Sequence, residues 1–317
     1  MKDISDSTAN KGKFIDPAIT ADGSTRATVA LAGLKTLWIN TGTLCNITCA
    51  NCYIDSSPEN DALVYFRARD LATYLDEARA LKLPLEEVGF TGGEPFMNPE
   101  MLDMVRLALD AGHRVLILTN AMRPMMRPRV RDGLVTLNRD FPGQLTMRVS
   151  LDHPDPAVHD AERGKGTYAI TLEGMRWISQ AGIAMHVAGR SLTGESETQT
   201  RAAFARLFAA ENFAIDADNP GQTVVFPEMD MSVEVPEITT DCWGILNKSP
   251  NDVMCSSARM AVLRKGADRP AVLACTLLAY DPQFELGETL EKAGGEVSLN
   301  HPHCAKFCVL GGASCSA

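Results

Sequence analysis

The sequence predicts an α/β fold built on a parallel sheet, and three observations support this prediction. Strand-like and helix-like runs alternate along most of the chain. One helical run carries Leu172, Met175 and Ile178 on a single face, at the spacing that a helix requires. The alternation ends after Phe226, where Pro227 breaks the chain and acidic residues cluster. Strands that alternate with helices imply parallel pairing with right-handed crossovers, so we expect a sheet covered by helices.

We expect six strands and five helices in alternation before this break. The predicted strands are 36–41, 87–91, 114–119, 145–151, 183–188 and 223–226. The predicted helices are 68–81, 99–111, 130–141, 171–181 and 197–210.

The composition limits the function classes. The chain has 317 residues, 45% of them hydrophobic, which is enough for one large domain and a smaller one. A net charge of −10 argues against a nucleic-acid partner, because phosphate binding needs clustered Lys and Arg. No apolar stretch is long enough to span a membrane, and residues 1–28 indicate a polar, loosely packed arm without a signal peptide. Nine cysteines are too few for a disulfide scaffold of this length, so we expect reduced thiols, metal binding and a cytoplasmic location.

Three of the cysteines share one short loop after the first predicted strand. Cys45, Cys49 and Cys52 have the spacing C-x3-C-x2-C, which can bring three thiolates to one soft metal centre. A [4Fe–4S] cluster usually takes four cysteines, so three ligands leave one iron open to bind a small molecule. The alternative is a zinc site, which usually needs a second pair of ligands to complete a tetrahedron.

With Tyr53 directly after the last cysteine, this loop resembles the signature of the radical S-adenosylmethionine (radical SAM) enzymes. The resemblance implies a partial (β/α)6 barrel and a catalytic [4Fe–4S] cluster whose open iron binds the amino and carboxylate groups of SAM. An electron from the cluster would cleave SAM to methionine and a 5′-deoxyadenosyl radical, which abstracts a hydrogen from a substrate. The resemblance also implies a flavodoxin- or ferredoxin-type electron donor.

The second predicted strand ends in Gly92, Gly93 and Glu94, followed by a proline. Glycines let the backbone approach a ligand closely, and a carboxylate beside them can accept hydrogen bonds from an amino group. In the family this motif holds the amino group of SAM. The alternative is an ordinary turn between a strand and a helix.

Further SAM contacts follow from the resemblance at the ends of the next strands. Asn120 follows the third strand, and Ser150 and Asp152 lie at the end of the fourth, where Ser150 resembles the residue that binds the SAM ribose. The alternative for each of them is a residue that caps a strand end, and this alternative stays open for Asn120.

The segment 162–168 resembles the Arg-Gly-x-Gly-Ser-Phe stretch of the sulfatase-maturing and peptide-modifying members. Arg163 would then reach the SAM carboxylate. Val187 and Gly189 would lie against the adenine, and Arg190 could bind either SAM or the substrate.

A second cysteine-rich region follows the linker. Cys255 and Cys275 flank a predicted β-hairpin with arms 259–264 and 271–275, so its open end would bring them together. This arrangement resembles the twitch and SPASM subdomains, which hold auxiliary iron–sulfur clusters. The remaining cysteines of the region are Cys242, Cys304, Cys308 and Cys315.

This region departs from the family pattern, because the hairpin is longer and a full SPASM set has one more cysteine. We expect one auxiliary [4Fe–4S] cluster held by Cys255, Cys275 and two or three tail cysteines. Two clusters and a structural zinc site are alternatives, and the part played by Cys242 stays open. The predicted division is an N-terminal arm at 1–34, a barrel at 35–226 and an auxiliary-cluster domain at 227–317.

These observations favour a radical SAM enzyme that acts on a peptide or a small molecule, with the reaction type left open. The alternative function is a non-catalytic iron–sulfur scaffold or electron carrier. The candidate substrate contacts are Arg190, His153, His159 and Arg123.

Overall fold

A computed structural model of the protein describes residues 10–192, 194–227 and 233–312. Cys315, one of the predicted cluster ligands, lies outside the described residues. The strands are β1 (Thr28–Val29), β2 (Thr36–Asn40), β3 (Glu87–Thr91), β4 (Arg114–Thr119), β5 (Leu145–Ser150), β6 (Ala184–Arg190), β7 (Thr223–Phe226), β8 (Ala258–Val262), β9 (Ala271–Leu273), β10 (Glu285–Gly287) and β11 (Val297–Ser298). The α-helices are α1 (Ala68–Ala80), α2 (Met101–Asp110), α3 (Pro128–Asp140), α4 (Pro156–Arg163), α5 (Thr167–Gln180), α6 (Glu197–Glu211) and α7 (Cys242–Leu246).

One large sheet organises the chain, and its strands run in the order β10-β9-β8-β2-β3-β4-β5-β6-β7. The strands β2 to β7 are neighbours in sequence order and pair in parallel, as the alternation of strands and helices predicts. The α/β fold is therefore confirmed. The six predicted strands are present, although β6 ends two residues later than expected, so that Arg190 belongs to the strand.

The predicted hairpin exists as β8 and β9, and it is part of the large sheet. β8 pairs in parallel with β2, from Thr36 opposite Ala258 to Ile39 opposite Ala261. β9 and β10 then add antiparallel strands. The sheet therefore continues across the predicted boundary between residues 226 and 227.

Helix α4 is absent from the sequence prediction. Its signal is local: Asp155 accepts hydrogen bonds from the backbone N–H groups of Ala157 and Val158, and Pro156 fills the first helical position. The helix ends at Arg163, and therefore carries one of the predicted SAM contacts.

The N-terminal arm is packed where the structure describes it. β1 pairs with β11, and the buried Arg26 donates a hydrogen bond of 2.5 Å to the Glu237 carboxylate. Ala27 and Val29 are fully buried. The expectation of a loosely packed arm is wrong for residues 10–28, because a buried ion pair and a short strand pair hold them to the C-terminal region.

The two faces of the sheet bury two different hydrophobic clusters. Leu37 and Ile39 of β2 pack with the helices, whereas Trp38 between them packs on the opposite face of the sheet with the C-terminal region. A Cβ atom at Gly89 would lie 2.4 Å from the Trp38 ring, so the missing side chain makes room for that ring. Among the described residues, no helix combines the length and apolar character needed to cross a membrane.

Candidate functional site

A cavity lies at the carboxyl ends of the parallel strands. The last residues of β3 to β7, which are Thr91, Thr119, Ser150, Arg190 and Phe226, all line it. Parallel α/β sheets place their ligand sites at this edge. The cavity is therefore the candidate active site.

All three cysteines of the short loop line this cavity. Burial raises the pKa of the Cys45 thiol to about 12, and the nearby Cys49 and Cys52 add to the rise. The Cys52 sulfur accepts a hydrogen bond of 3.2 Å from the Ser56 N–H. The three cysteines thus line one cavity, and metal binding there must displace protons from their thiols.

The two glycines of the Gly-Gly-Glu-Pro turn pack against the segment that leads into this loop. Gly93 N–H donates to the Gly42 carbonyl at 2.8 Å, and a Cβ atom at Gly93 would lie 2.2 Å from the Leu44 carbonyl oxygen. Gly92 has φ +135°, which favours glycine. The glycines therefore allow a backbone approach that fixes the entry to Cys45.

Glu94 is buried at 2% exposure beside the cavity. Its carboxylate accepts hydrogen bonds from Thr119 Oγ1 at 2.9 and 3.0 Å, from Asn120 N at 2.9 Å and from Phe96 N at 3.2 Å. Burial raises the pKa of Glu94 to about 7, and these hydrogen bonds limit the rise. Asn120 also reaches the loop, with its side-chain nitrogen 2.9 Å from Asn46 Oδ1.

Arg163 and Asp152 form a buried bidentate ion pair on the cavity wall. Arg163 Nε and Nη2 each donate to one Asp152 oxygen at 2.8 Å. Burial opposes ionisation of Asp152, but Arg163 lowers the pKa of this carboxyl below its ordinary value. Nearby Cys49 and Cys52 also raise the pKa of Arg163, so the Arg163 guanidinium lies near the cysteine loop.

A second ion pair ties Arg190 to α4 and to the cysteine loop. Arg190 Nη1 donates to Glu162 Oε2 at 3.0 Å, and the guanidinium lies 5.3 Å from the centre of the Tyr53 ring. Glu162 accepts two hydrogen bonds from the Asn51 side chain, at 3.0 and 3.1 Å, and its carbonyl accepts one from Ala50 N at 2.7 Å. The residues between Cys49 and Cys52 are thus held by Glu162.

The alternation of β6 decides which of its residues reach the cavity. Ala188 and Arg190 line the cavity. Val187 packs in the cluster with the helices, and Gly189 faces the Phe204 ring, 2.7 Å from the position of a Cβ atom. Successive strand residues point to opposite faces, so the side-chain positions of Val187 and Gly189 face away from the cavity. Their contact with the adenine stays a prediction.

Thr276 and Leu277 line the cavity as well, directly after Cys275. Leu277 N–H donates to the Cys275 sulfur at 3.4 Å. Burial raises the pKa of Cys304, and nearby Cys275 and Cys255 raise it further. The cavity therefore lies between the cysteine loop and the C-terminal cysteines.

Cys242 and Cys308 pack against the hydrophobic cluster that contains Trp38, Cys255 and Cys304. Cys308 belongs to a π-helical segment, Cys304–Leu310, and packs against this cluster. Cys242 begins α7, and its sulfur accepts a hydrogen bond of 3.4 Å from Thr239 N. All eight described cysteines are free of disulfides.

The donor set fits iron–sulfur clusters. Within residues 10–192, 194–227 and 233–312, no three His, Cys, Asp or Glu side chains are arranged around a single metal ion. In a [4Fe–4S] cluster each thiolate binds a different iron, so its ligands surround a larger group. The thiols of Cys45, Cys49 and Cys52 are soft donors that line one cavity, which is the chemistry that such a cluster requires.

Three of the four candidate substrate contacts lie away from the cavity lining. His153 and His159 are buried, with His153 Nε2 3.3 Å from Glu195, and Arg123 is exposed. The sequence analysis did not identify Thr119 and Trp38, which line the cavity, or Glu162, which binds Arg190 and the cysteine loop. The position of Glu162 beside Arg163 was the available signal.

The family model for the radical SAM superfamily matches residues 39–205, more than half of the chain. The antilisterial bacteriocin subtilosin biosynthesis protein AlbA of Bacillus subtilis is 31% identical over 146 residues, which cover 45% of this chain and 30% of AlbA. The AdoMet-dependent heme synthase of Nitratidesulfovibrio vulgaris is 28% identical over 151 residues, which cover 45% of this chain and 36% of the synthase. The matched regions span about a third of these curated relatives.

Among solved structures, SuiB of Streptococcus suis bound to S-adenosylmethionine matches with a TM-score of 0.58 and 14% identity. The match covers 81% of this chain and 63% of SuiB. SuiB has also been solved with its precursor peptide SuiA. At this identity the likeness shows the fold alone.

Proposed function

The chain belongs to the radical SAM superfamily, and from this we propose that it is an enzyme that reductively cleaves SAM and uses the 5′-deoxyadenosyl radical to abstract a hydrogen from a substrate. The observation that carries the proposal is that Cys45, Cys49 and Cys52 line one cavity together with Gly92 and Gly93. We assign the catalytic [4Fe–4S] cluster to these three cysteines. When bound, the cluster supplies the electron for SAM cleavage.

We propose that the protein holds SAM from two sides. Gly92 and Gly93 bring the backbone close, and Glu94 accepts a hydrogen bond from the amino group. Arg163 has its Nε and Nη2 edge committed to Asp152 and offers Nη1 to the carboxylate. The cavity-lining position of Ser150 supports a contact to the ribose.

We further propose that the C-terminal cysteines hold an auxiliary [4Fe–4S] cluster. Cys275 and Cys255 lie near enough to Cys304 to raise the pKa of its thiol, which supports a shared site. Because Cys275 directly precedes the cavity residues Thr276 and Leu277, the substrate would lie between the two clusters. In this proposal 35–226 is the catalytic unit and 227–317 the auxiliary-cluster unit, although they share one sheet.

The substrate is proposed to be a peptide or a small molecule. The similarity to AlbA favours a peptide, and the similarity to the heme synthase favours a small molecule. A ferredoxin- or flavodoxin-type protein would deliver the electron, in a cytoplasmic setting that keeps the thiols reduced.

Anaerobic reconstitution with iron and sulfide, followed by SAM and dithionite, tests the proposal. We expect 5′-deoxyadenosine from the wild type and none from the Cys45→Ala, Cys49→Ala and Cys52→Ala variants, whose iron content should fall by one cluster. Formation of 5′-deoxyadenosine at the wild-type rate by the triple variant would contradict the assignment. Iron loading without any SAM cleavage by the wild type would favour a non-catalytic iron–sulfur protein.

A further inference from the structure

Arg190 is a buried cation that uses only part of its hydrogen-bonding capacity. It is 5% exposed and lines the cavity. Its Nη1 donates to Glu162 at 3.0 Å and to the Asn51 carbonyl at 3.4 Å. Its Nε is buried without a hydrogen-bond partner in the described part of the chain. A buried donor that lacks a partner costs free energy unless a ligand satisfies it.

Arg190 and Arg163 differ in how they use the Nε and Nη2 edge of the guanidinium group. Arg163 donates from Nε and Nη2 to both oxygens of Asp152, at 2.8 Å each. For Arg190, no hydrogen bond leaves Nε or Nη2 toward any residue within 10–192, 194–227 or 233–312. This planar fork matches the geometry of a carboxylate.

The charge of Arg190 is only partly neutralised inside the protein. Its carboxylate partner, Glu162, makes a single contact with it and also accepts two hydrogen bonds from Asn51. Asp152, by contrast, gives both oxygens to Arg163. A cation in this state attracts a further anion into the cavity.

Arg190 and Arg163 reach the cavity from different elements. Arg163 is the last residue of α4, whereas Arg190 is the last residue of β6, and both line the cavity. Arg190 lies over the Tyr53 ring and is paired with Phe226 of β7, the edge strand. Because the proposed function assigns Arg163 to the SAM carboxylate, the fork of Arg190 is left for the substrate.

We propose that Arg190 is a specificity-determining residue that binds a carboxylate of the substrate through its Nε and Nη2 edge. The proposal rests on the proposed function, and narrows the substrate class to molecules that carry a carboxylate. That group can be an acidic side chain, a peptide C-terminus or part of a small molecule.

Equilibrium dialysis of labelled probes against the reconstituted, SAM-loaded protein tests the proposal. The probes are N-acetylglutamate amide, with a side-chain carboxylate, N-acetylglutamine, with a terminal carboxylate, and glutarate. N-acetylglutamine amide is the neutral reference. We expect at least one carboxylate probe to bind about 10- to 100-fold more tightly than the neutral reference, as a charge-assisted pair allows. The probe that binds identifies the source of the carboxylate.

Variants of Arg190 link this preference to its fork. Arg190→Gln should abolish the preference, and Arg190→Lys, which keeps the charge without the fork, should retain only part of it. Arg79→Gln is the matched control, because Arg79 is an exposed arginine of α1, and it should leave the preference unchanged. Iron content and circular dichroism verify that each variant is folded.

Three results would overturn the proposal: equal or absent binding of charged and neutral probes by the wild type, a preference that survives in Arg190→Gln, or a tenfold loss of SAM affinity in that variant. The last result would assign Arg190 to SAM. If the wild type fails to cleave SAM, the proposed function fails, yet the carboxylate preference can still be measured on the SAM-free protein.

Discussion

Glu94 should make SAM binding depend on pH near neutrality. Burial raises the pKa of its carboxyl to about 7 in the SAM-free protein. If only the ionised form accepts the hydrogen bond from SAM, about a tenth of the protein is competent at pH 6 and about nine tenths at pH 8. We therefore expect the SAM affinity to rise about tenfold across this range because of Glu94 alone.

The assay is anaerobic titration of the reconstituted protein with SAM, at several pH values, for the wild type and Glu94→Gln. The SAM amino group must itself lose a proton to bind iron, which also favours binding at higher pH. That contribution is common to both proteins, so the difference between the two profiles isolates Glu94. The variant should bind about 10- to 100-fold more weakly at pH 8, because a charge-assisted hydrogen bond is lost. Parallel profiles with equal affinity would refute the reasoning.

The same pKa shift predicts how stability changes with pH in the absence of SAM. A raised carboxyl pKa means that the folded protein binds its proton more tightly than the unfolded chain. The free energy of unfolding should therefore fall as pH rises from the ordinary carboxyl pKa of 4.5 through 7, by about 3 kcal/mol at most. Glu94→Gln should remove this contribution, which urea titrations at pH 5 and pH 8 would measure.

Three further predictions concern packing, SAM binding and the auxiliary cluster. Gly93→Ala should destabilise the protein by about 1–3 kcal/mol and lower its iron content, because the new methyl group would lie 2.2 Å from the Leu44 carbonyl oxygen. Thermal unfolding and iron analysis measure the two effects. Gly294→Ala is the control, because a Cβ atom at Gly294 has nothing within 4 Å. Arg163→Ala should weaken SAM binding about 10- to 100-fold at unchanged iron content, and unchanged affinity in a SAM titration would show that Arg163 does not bind SAM. Replacing Cys255 and Cys275 together by Ala should remove the auxiliary cluster and substrate turnover while dithionite-driven SAM cleavage survives; stoichiometric zinc, with an iron count that the substitution leaves unchanged, would instead indicate a zinc site.

Local sequence signals predicted the parallel strands well. A strand of a parallel sheet is buried on both faces, so it is recognisable in the sequence as a nearly continuous hydrophobic run. The bounds of β3, β4 and β7 agree with the prediction. Helix α4 was missed although Asp155 and Pro156 are a readable start signal. The parallel pairing of β8 with β2 has no local signature, because it joins strands more than two hundred residues apart.

The sequence identified those residues around the cavity that belong to a short motif. It did not identify the residues that only tertiary packing brings there. The cysteine loop and the two glycines come together as the motifs imply, since each motif is one short continuous stretch of the chain. Glu162 and Trp38 contact segments that are distant in sequence, and the spacing of residues along the chain does not reveal such contacts. The face that β6 turns to the cavity is set by its packing on α6, because Gly189 meets the Phe204 ring while Ala188 and Arg190 line the cavity.

The pairing of β8 with β2 has a consequence for the order of folding during synthesis. β2 leads directly into the cysteine loop, yet one of its edges stays unpaired until Ala258–Val262 has left the ribosome. An open edge strand is a site for aggregation, and such distant pairing forms slowly. Newly made chains therefore pass through a stage in which the loop exists on an incomplete sheet, and cluster insertion into the finished cavity must wait for the C-terminal region.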